Sequence, residues 1–250
     1  MRLWALKRQA VGLSIFSVIV LGTVGFGLYQ VLSQTSCTDG KQNADEQGPD
    51  CGGSCPNACL GEVPRSPRLL WSRIFTVTDS VYDVGALVEN INLYTGSSRA
   101  GYEFKLYDQD NVLLAKRMGT VLLVPRQKIF VYESRLKTNT KHAVRVEFTI
   151  NVPQWERIDE KDALEISVLE KKFIFDPYPT VRVTLLNQAI FSESNLEVSV
   201  LLERADGTVY AASQSFIEHL QDHERKEILF TWPQSTFDEP KNIVVLYRRK

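Results

Sequence analysis

The sequence predicts a mainly β protein in three parts: an N-terminal transmembrane helix, a small disulfide-rich module, and two tandem β-sandwich domains. Three observations carry this. An uncharged apolar run follows a basic N-terminus, all four cysteines fall between positions 37 and 59, and beyond position 69 apolar residues recur at every second position. The expected boundaries are 1–9 for a cytoplasmic N-terminus, 10–30 for the helix, 36–60 for the cysteine module and 61–68 for a linker. The two sandwiches are expected at 69–152 and 160–250.

The N-terminal part comes first. Arg2, Lys7 and Arg8 precede Ala10 to Tyr29, a stretch of about twenty residues without a charge. At 1.5 Å per residue such a helix spans a hydrocarbon core of roughly 30 Å. Trp4 and Tyr29 fall near its two ends, where amphipathic rings favour the interface. No Lys or Arg follows until Lys41, so the positive-inside rule puts the N-terminus in the cytoplasm and the rest outside. A cleaved signal peptide is the competing reading, but its apolar region is roughly 7–15 residues and ends in small residues. Tyr29-Gln30-Val31-Leu32-Ser33 offers no Ala-x-Ala. A lipid anchor at Cys37 is disfavoured by Gln34 and by the polar stretch before the cysteine.

Cys37, Cys51, Cys55 and Cys59 form an even set just outside the expected membrane, which argues for disulfides. Four cysteines allow three pairings, and the sequence does not choose among them. The intervening residues are too polar to build an apolar core without covalent staples. Asp39, Asn43, Asp45, Glu46 and Asp50 offer hard oxygen atoms at short intervals, and calcium takes six to eight such ligands. Calcium is therefore the one cofactor candidate, at those five residues; a solvated acidic turn is the alternative. Zinc on the cysteines fits an oxidising exterior less well. The pattern Cys-x-Asp-Gly-x-x-Asn-x-x-Glu-x-Gly-x-Asp-Cys-Gly-Gly-x-Cys, from Cys37 to Cys55, resembles a cysteine module of bacterial surface and secreted proteins. That module often follows a membrane anchor and precedes β-rich domains.

Pro64 and Pro67, with three polar residues around them, read as a short stiff linker. Beyond it, Tyr102, Phe104 and Leu106 alternate with Glu103, Lys105 and Tyr107; Val144 to Ile150 and Val181 to Leu185 alternate likewise. Leu196, Val198, Val200 and Leu202 alternate with Glu197, Ser199, Leu201 and Glu203. A period of two means strands with one buried face. Asp110-Asn111 and Asp206-Gly207 are hairpin-turn dipeptides between such runs. These turns lie 96 positions apart, and Asn90 and Asn187 follow matching apolar strands upstream of them. Two tandem copies of one β-domain follow from this, and strands at that spacing suggest sandwiches.

Phe104-Lys105-Leu106-Tyr107-Asp108 resembles the signature of the FxLYD family of immunoglobulin-like domains. The resemblance implies an Ig-like sandwich, an extracytoplasmic setting and no general catalytic role. The second copy has Val200-Leu201-Leu202-Glu203-Arg204 at that place and departs from the signature.

Motifs that carry catalysis are weak here. His219 and His223 have the spacing of paired zinc ligands on a helix, but they fall between strands, and a solvated loop is expected. Gly96 to Gly101 approaches a nucleophile elbow without being Gly-x-Ser-x-Gly, and reads as a hairpin loop. Asp159, Glu160, Asp162 and Glu165 read as a solvated linker face. With 29 basic and 30 acidic side chains there is no basic footprint, so nucleic acid is not an expected partner. The expectation is a non-enzymatic, membrane-integral binding or structural protein that meets a protein or glycan at the cell envelope. Residues 93–99 and 188–194 are the candidate interaction loops. An accessory subunit of an envelope assembly is the alternative, and an envelope hydrolase the third reading.

Overall fold

A computed structural model describes residues 12, 14, 16–26, 36–57, 59–61, 63–139, 141–158, 164–232 and 238–250. The chain divides into two compact units, Met1–Cys59 and Leu60–Lys250.

In the first unit, residues 16–26 are helical. Among the described residues no helix is long and apolar enough to cross a membrane. Residues 10, 11, 13, 15 and 27–30 of the expected span lie outside the described residues. The cysteine stretch is a set of tight turns without a helix or long strand, tied by Cys37–Cys55 and Cys51–Cys59. This resolves the three possible pairings. Gly53 has a φ of +60°, and a Cβ there would lie 2.2 Å from the Asp45 carbonyl oxygen, so only glycine fits that turn.

The second unit is β throughout. Six strands come first: β1 (Arg68–Thr78), β2 (Val81–Glu89), β3 (Thr95–Tyr107), β4 (Leu113–Leu123), β5 (Lys128–Lys137) and β6 (Arg145–Asn151). The short β7 (Glu156–Arg157) follows. Six more complete the unit: β8 (Ile166–Phe175), β9 (Pro179–Asn187), β10 (Glu193–Glu203), β11 (Val209–Leu220), β12 (Arg225–Thr231) and β13 (Asn242–Arg249). The first six make sheets β1-β2-β5 and β4-β3-β6; the last six make β8-β9-β12 and β11-β10-β13. Strand for strand the two orders are the same, and every pairing is antiparallel.

Each sandwich has its own core. Val84, Ala86 and Val88 of β2 meet Phe104 and Leu106 of β3 in the first; Val181, Val183 and Leu185 of β9 meet Val198, Val200 and Leu202 of β10 in the second. The alternating residues supply these sets, one face per strand.

One-faced burial fails in two places, and together they define the unit. Phe75 and Phe130, with Trp71, Leu87 and Tyr132, lie on the outer face of sheet β1-β2-β5. They pack on Leu201, Val209, Ala212, Val244 and Leu246, on the outer face of sheet β11-β10-β13. The two sandwiches are thus joined face to face by a third apolar core, giving four stacked sheets. Leu201 is the residue that breaks the polar phase of β10, and Val198 to Leu202 are buried without interruption. Gly85 makes room here, since a Cβ on it would lie 2.5 Å from the Phe130 ring.

Two buried asparagines close equivalent turns. Asn90 donates through Nδ2 to the Thr95 carbonyl (2.9 Å), and its Oδ1 accepts from the Asn92 N–H (3.1 Å). Asn187 donates to the carbonyls of Phe191 and Gln221 (2.9 Å each) and accepts from the Ala189 N–H (3.0 Å). Both side chains are fully buried. Each satisfies backbone groups that the chain reversal would otherwise strand.

The structure corrects three expectations. Gly96 to Gly101 is not a loop but part of β3, paired with β4 and β7. The candidate loop 93–99 shrinks to its first two residues for the same reason. His219 lies in β11. The acidic run 159–162 lies outside the described residues.

Two outcomes follow. Leu201→Ala removes a buried seam side chain and should lower the unfolding free energy by about 2–4 kcal/mol in urea denaturation. Lys105→Ala, at the corresponding place on the solvent-facing sheet of the first sandwich, should move the midpoint little. Asn90→Ala and Asn187→Ala each leave buried backbone groups unpaired, and each should cost roughly 2–3 kcal/mol in the same assay.

Candidate functional site

Three features are candidate sites: the oxygen-rich turns of the cysteine module, the turns at one end of the β unit, and the seam between the sandwiches.

In the module four of the five oxygen residues accept from backbone N–H groups, and Asp45 accepts from a side-chain hydroxyl. Asp50 accepts from the N–H groups of Asp39 (2.8 Å) and Gly40 (2.7 Å). Asp39 accepts from the Lys41 N–H and from Asn43 Nδ2, both at 3.0 Å. Glu46 accepts from the Asn43 N–H (2.8 Å), Asn43 Oδ1 from the Ser36 N–H (3.2 Å), and Asp45 from the Ser54 hydroxyl (2.8 Å). Among the described residues, one group of three His, Cys, Asp or Glu ligand atoms falls within 4.8 Å: Cys37, Glu46 and Cys55. Both of its sulfurs are in a disulfide. Asp39, Asn43, Glu46 and Asp50 thus cap turns, a role short polar side chains take in tight turns.

The turns at one end of the β unit share a chemical character. Residues 91–94 of the β2–β3 turn and 188–192 of the β9–β10 turn occupy equivalent places in the two sandwiches, each after its buried asparagine. Ile91, Leu93, Tyr94, Ile190 and Phe191 are all exposed there. Both turns lie at the same end. The Arg126 N–H bonds the Asn92 carbonyl (3.1 Å), while Arg249 bonds Glu193, just after the second turn. Arg126 and Arg249 line one groove. The entering chain is fastened at this end too: the Arg65 N–H donates to Asn92 Oδ1 (2.8 Å), and Asn92 Nδ2 donates to the Arg65 carbonyl (2.9 Å). His223 reaches the Ala189 carbonyl (3.2 Å), a structural contact rather than a metal site.

At the opposite end the seam opens into two adjoining clefts. One, of about 460 Å³, is lined by Phe75, Asp83 and Tyr132 of the first sandwich and by Arg204, Tyr210 and Trp232 of the second, among others. The Tyr132 hydroxyl donates to Asp83 Oδ2 (2.5 Å), and Asp83 Oδ1 accepts from the Arg135 N–H (2.8 Å). Burial, and then the Asp83 carboxylate, push the Tyr132 hydroxyl far above the ordinary tyrosine range, so it stays a donor. Tyr210 donates to the Asp238 carbonyl (2.7 Å), and burial raises its hydroxyl to about 12. Trp232 Nε1 donates to the Ala212 carbonyl (3.2 Å).

The second cleft, of about 520 Å³, shares Arg204 and Tyr210 with the first and adds Arg73 and Arg145. Arg204 lies over the Tyr210 ring (4.7 Å) and Arg145 over the Tyr107 ring (4.0 Å), reaching Asn111 (3.1 Å). Arg73 lies 5.7 Å from the Trp71 ring. Among the described residues no acidic side chain lines this cleft, although Arg145 also pairs with Glu147 (3.8 Å). Stacking on aromatic faces holds the guanidinium planes while leaving edge N–H groups for an anion.

Sequence reading did not reach the seam clefts, because each takes residues from strands more than 120 positions apart. One signal was present: Phe130 and Tyr132 on β5, and Leu201 on β10, sit in what should be the solvent phase of their strands.

No family model matches the chain, and no curated protein matches it. Among solved structures, the crystal structure of red sea bream transglutaminase aligns with 74% of this chain and 29% of its own, at 14% identity and a TM-score of 0.27.

Proposed function

We propose that the chain is a membrane-anchored extracytoplasmic binding protein without catalytic activity, and that its partner sits in the paired clefts at the seam. The observation that carries this reading is the three-arginine cleft, with no acid among its described lining residues, opening into a cleft walled by Phe75, Tyr132, Tyr210 and Trp232 together with Asp83 and Asp238. Arginine forks match carboxylate and phosphate oxygens, and rigid aromatic rings supply contact area at low entropic cost. An envelope protein or glycan that carries anionic groups fits that lining.

The anchored, extracytoplasmic placement is supported by the uncharged run Ala10 to Tyr29 behind a basic N-terminus. Two disulfides within a span of 23 residues also agree with an oxidising compartment. The likeness of residues 37–55 to a surface-protein module, and of residues 104–108 to the FxLYD signature, point the same way. The same-order sandwiches suit a pair of Ig-like domains.

The test is site-specific photocrosslinking in intact cells that carry the chain. A photoreactive residue at Thr208, in the three-arginine cleft, should give one discrete adduct. The same residue at Leu229, exposed on the outer face of β12, should give none. Arg204→Ala should reduce the Thr208 adduct by about tenfold, the weight of one charge-assisted contact. Equal adducts at the two positions, or a Thr208 adduct indifferent to Arg204, would sink the reading.

A further inference from the structure

We infer that the occupant of the paired clefts is an extended peptide that adds a strand to the edge of β1, carrying an acidic and an apolar side chain two positions apart. The inference rests on the reading of these clefts as the binding site and names the class of ligand they take.

The first observation is the edge. Among the described strands β1 pairs with β2 alone, so from Ser72 to Phe75 it presents the outward half of its backbone N–H and C=O groups. Folded proteins blunt such edges with proline, bulges or several charges. Between Trp71 and Thr76 the register with β2 is regular, there is no proline, and the one charge is Arg73. The edge strand β8, by contrast, is interrupted after Val168 and carries Glu170, Lys171 and Lys172.

The second is that this edge runs through both clefts. Ser72, Arg73 and Ile74 line the three-arginine cleft, and Phe75, Thr76 and Val77 line the aromatic one. Strand residues two apart share a face, so Trp71, Arg73 and Phe75 all face the seam. Trp71 and Phe75 pack in its core, and Arg73 lies 5.7 Å from the Trp71 ring. A strand laid beside β1 sets its own seam-facing side chains next to these. One comes beside Arg73, in the cleft that Arg204 shares, and the next but one comes beside Phe75, in the cleft that Trp232 shares.

The third is charge. Among the described residues neither Arg73 nor Arg204 is in an ion pair. Arg145 pairs with Glu147 at 3.8 Å, and Asp206, two residues from Arg204, accepts from the Thr208 N–H. Two guanidinium groups are thus left for an incoming carboxylate. The aromatic cleft differs. It holds Asp83, engaged with the Tyr132 hydroxyl and the Arg135 N–H, and Asp238, so the side chain that enters it is uncharged and apolar. An anionic glycan would satisfy the arginines, but it has no main-chain amide repeat to match a strand edge, and strand addition draws its affinity from that match.

The test uses the full chain, disulfides oxidised, with a photoreactive residue at Thr208. The probe is a biotinylated peptide, Thr-Leu-Thr-Glu-Thr-Leu-Thr, which presents the acid and an apolar residue two apart in either strand direction. At about 1 mM, enough to populate a weak site, it should label the chain on irradiation. Moving the glutamate by one, in Thr-Leu-Thr-Thr-Glu-Leu-Thr, should cut labelling about tenfold, as should Arg73→Ala. Methylating the backbone nitrogens of one alternate set of peptide residues should do the same. Methylating the other set should leave labelling within about twofold, because alternate amides point to the same edge. The peptide comparisons are made on one unaltered fold, so they hold even if Arg73→Ala unfolds. Indifference to the one-residue shift, the same effect from both methylated sets, or no labelling by the parent peptide overturns the added strand. If biotinylated oligogalacturonate labels Thr208 and the peptide does not, the cleft belongs to a glycan, which refutes the strand and leaves the cleft reading standing. If neither probe labels it and the chain in cells gives no Thr208 adduct, both readings fall.

Discussion

The face-to-face packing of sheet β1-β2-β5 on sheet β11-β10-β13 is the contact on which the rest of the β unit depends. Each sandwich already has a core of its own. The third core, around Phe75, Phe130, Leu201, Val209 and Ala212, is what makes one body of two. Apolar packing is not directional, but two twisted sheets interdigitate well in few ways, so the seam also fixes alignment. The clefts at its margin inherit that rigidity. Arg73 and Tyr132 come from one sandwich, Arg204 and Trp232 from the other, and only the seam keeps them within reach of one ligand. A flexible pair of domains would have to order those groups on binding, at a cost in affinity.

The seam also explains why the two copies have diverged. In the first copy the outward residues of β3 are Glu103 and Lys105, and Glu103 pairs with both Lys105 and Lys116. The corresponding residues of β10 are Ser199 and Leu201, both buried. The buried Leu201 falls at the unrestricted position of the Phe-x-Leu-Tyr-Asp pattern, and the second copy departs from that pattern at Val200, Glu203 and Arg204. Core positions Phe104 and Leu106 keep apolar counterparts in Val200 and Leu202. The turn-closing acid has moved rather than vanished. Asp108 accepts from the N–H groups of Asp110 and Val112 in the first copy, and Asp206 accepts from the Thr208 N–H in the second.

The legible part of this fold was the part set by local periodicity. Alternation marked the strands, the Asp-Asn and Asp-Gly dipeptides marked hairpins, and the matched Asn90 and Asn187 marked equivalent turns. The illegible part was set by contacts distant in sequence. Gly96 to Gly101 looks like a loop because small and polar residues fill it, yet the edge strands β4 and β7 recruit it into β3. Nothing near Leu201 tells that its partner is Phe130. In the module, oxygen-rich spacing is the same whether carboxylates face a cation or cap backbone N–H groups. The deciding quantity is the number of backbone donors stranded in a chain with so many turns. Asp50 accepts from two of them, in the turn that Cys37 and Cys51 bracket.

Strand number explains why the two ends of the unit differ. A sandwich of six consecutive antiparallel strands begins and finishes at the same end. β1 starts at Arg68 beside Glu89, and β6 finishes at Asn151 beside Gly101, so the chain leaves the first sandwich where it entered. The connection to Ile166 is short, and β8 starts opposite Asn187, again at that end. The second copy lies beside the first, outer sheet against outer sheet, with both starting at the same end. The start of β1 and the ends of β6 and β13 lie at one end, where two turns carry Ile91, Leu93, Tyr94, Ile190 and Phe191 and two others carry Arg126, Asp222 and Glu224. The other end is closed by strand-to-strand turns and holds the arginine and aromatic clefts. An even strand count and an apolar phase error at Leu201 thus give the unit two unlike ends.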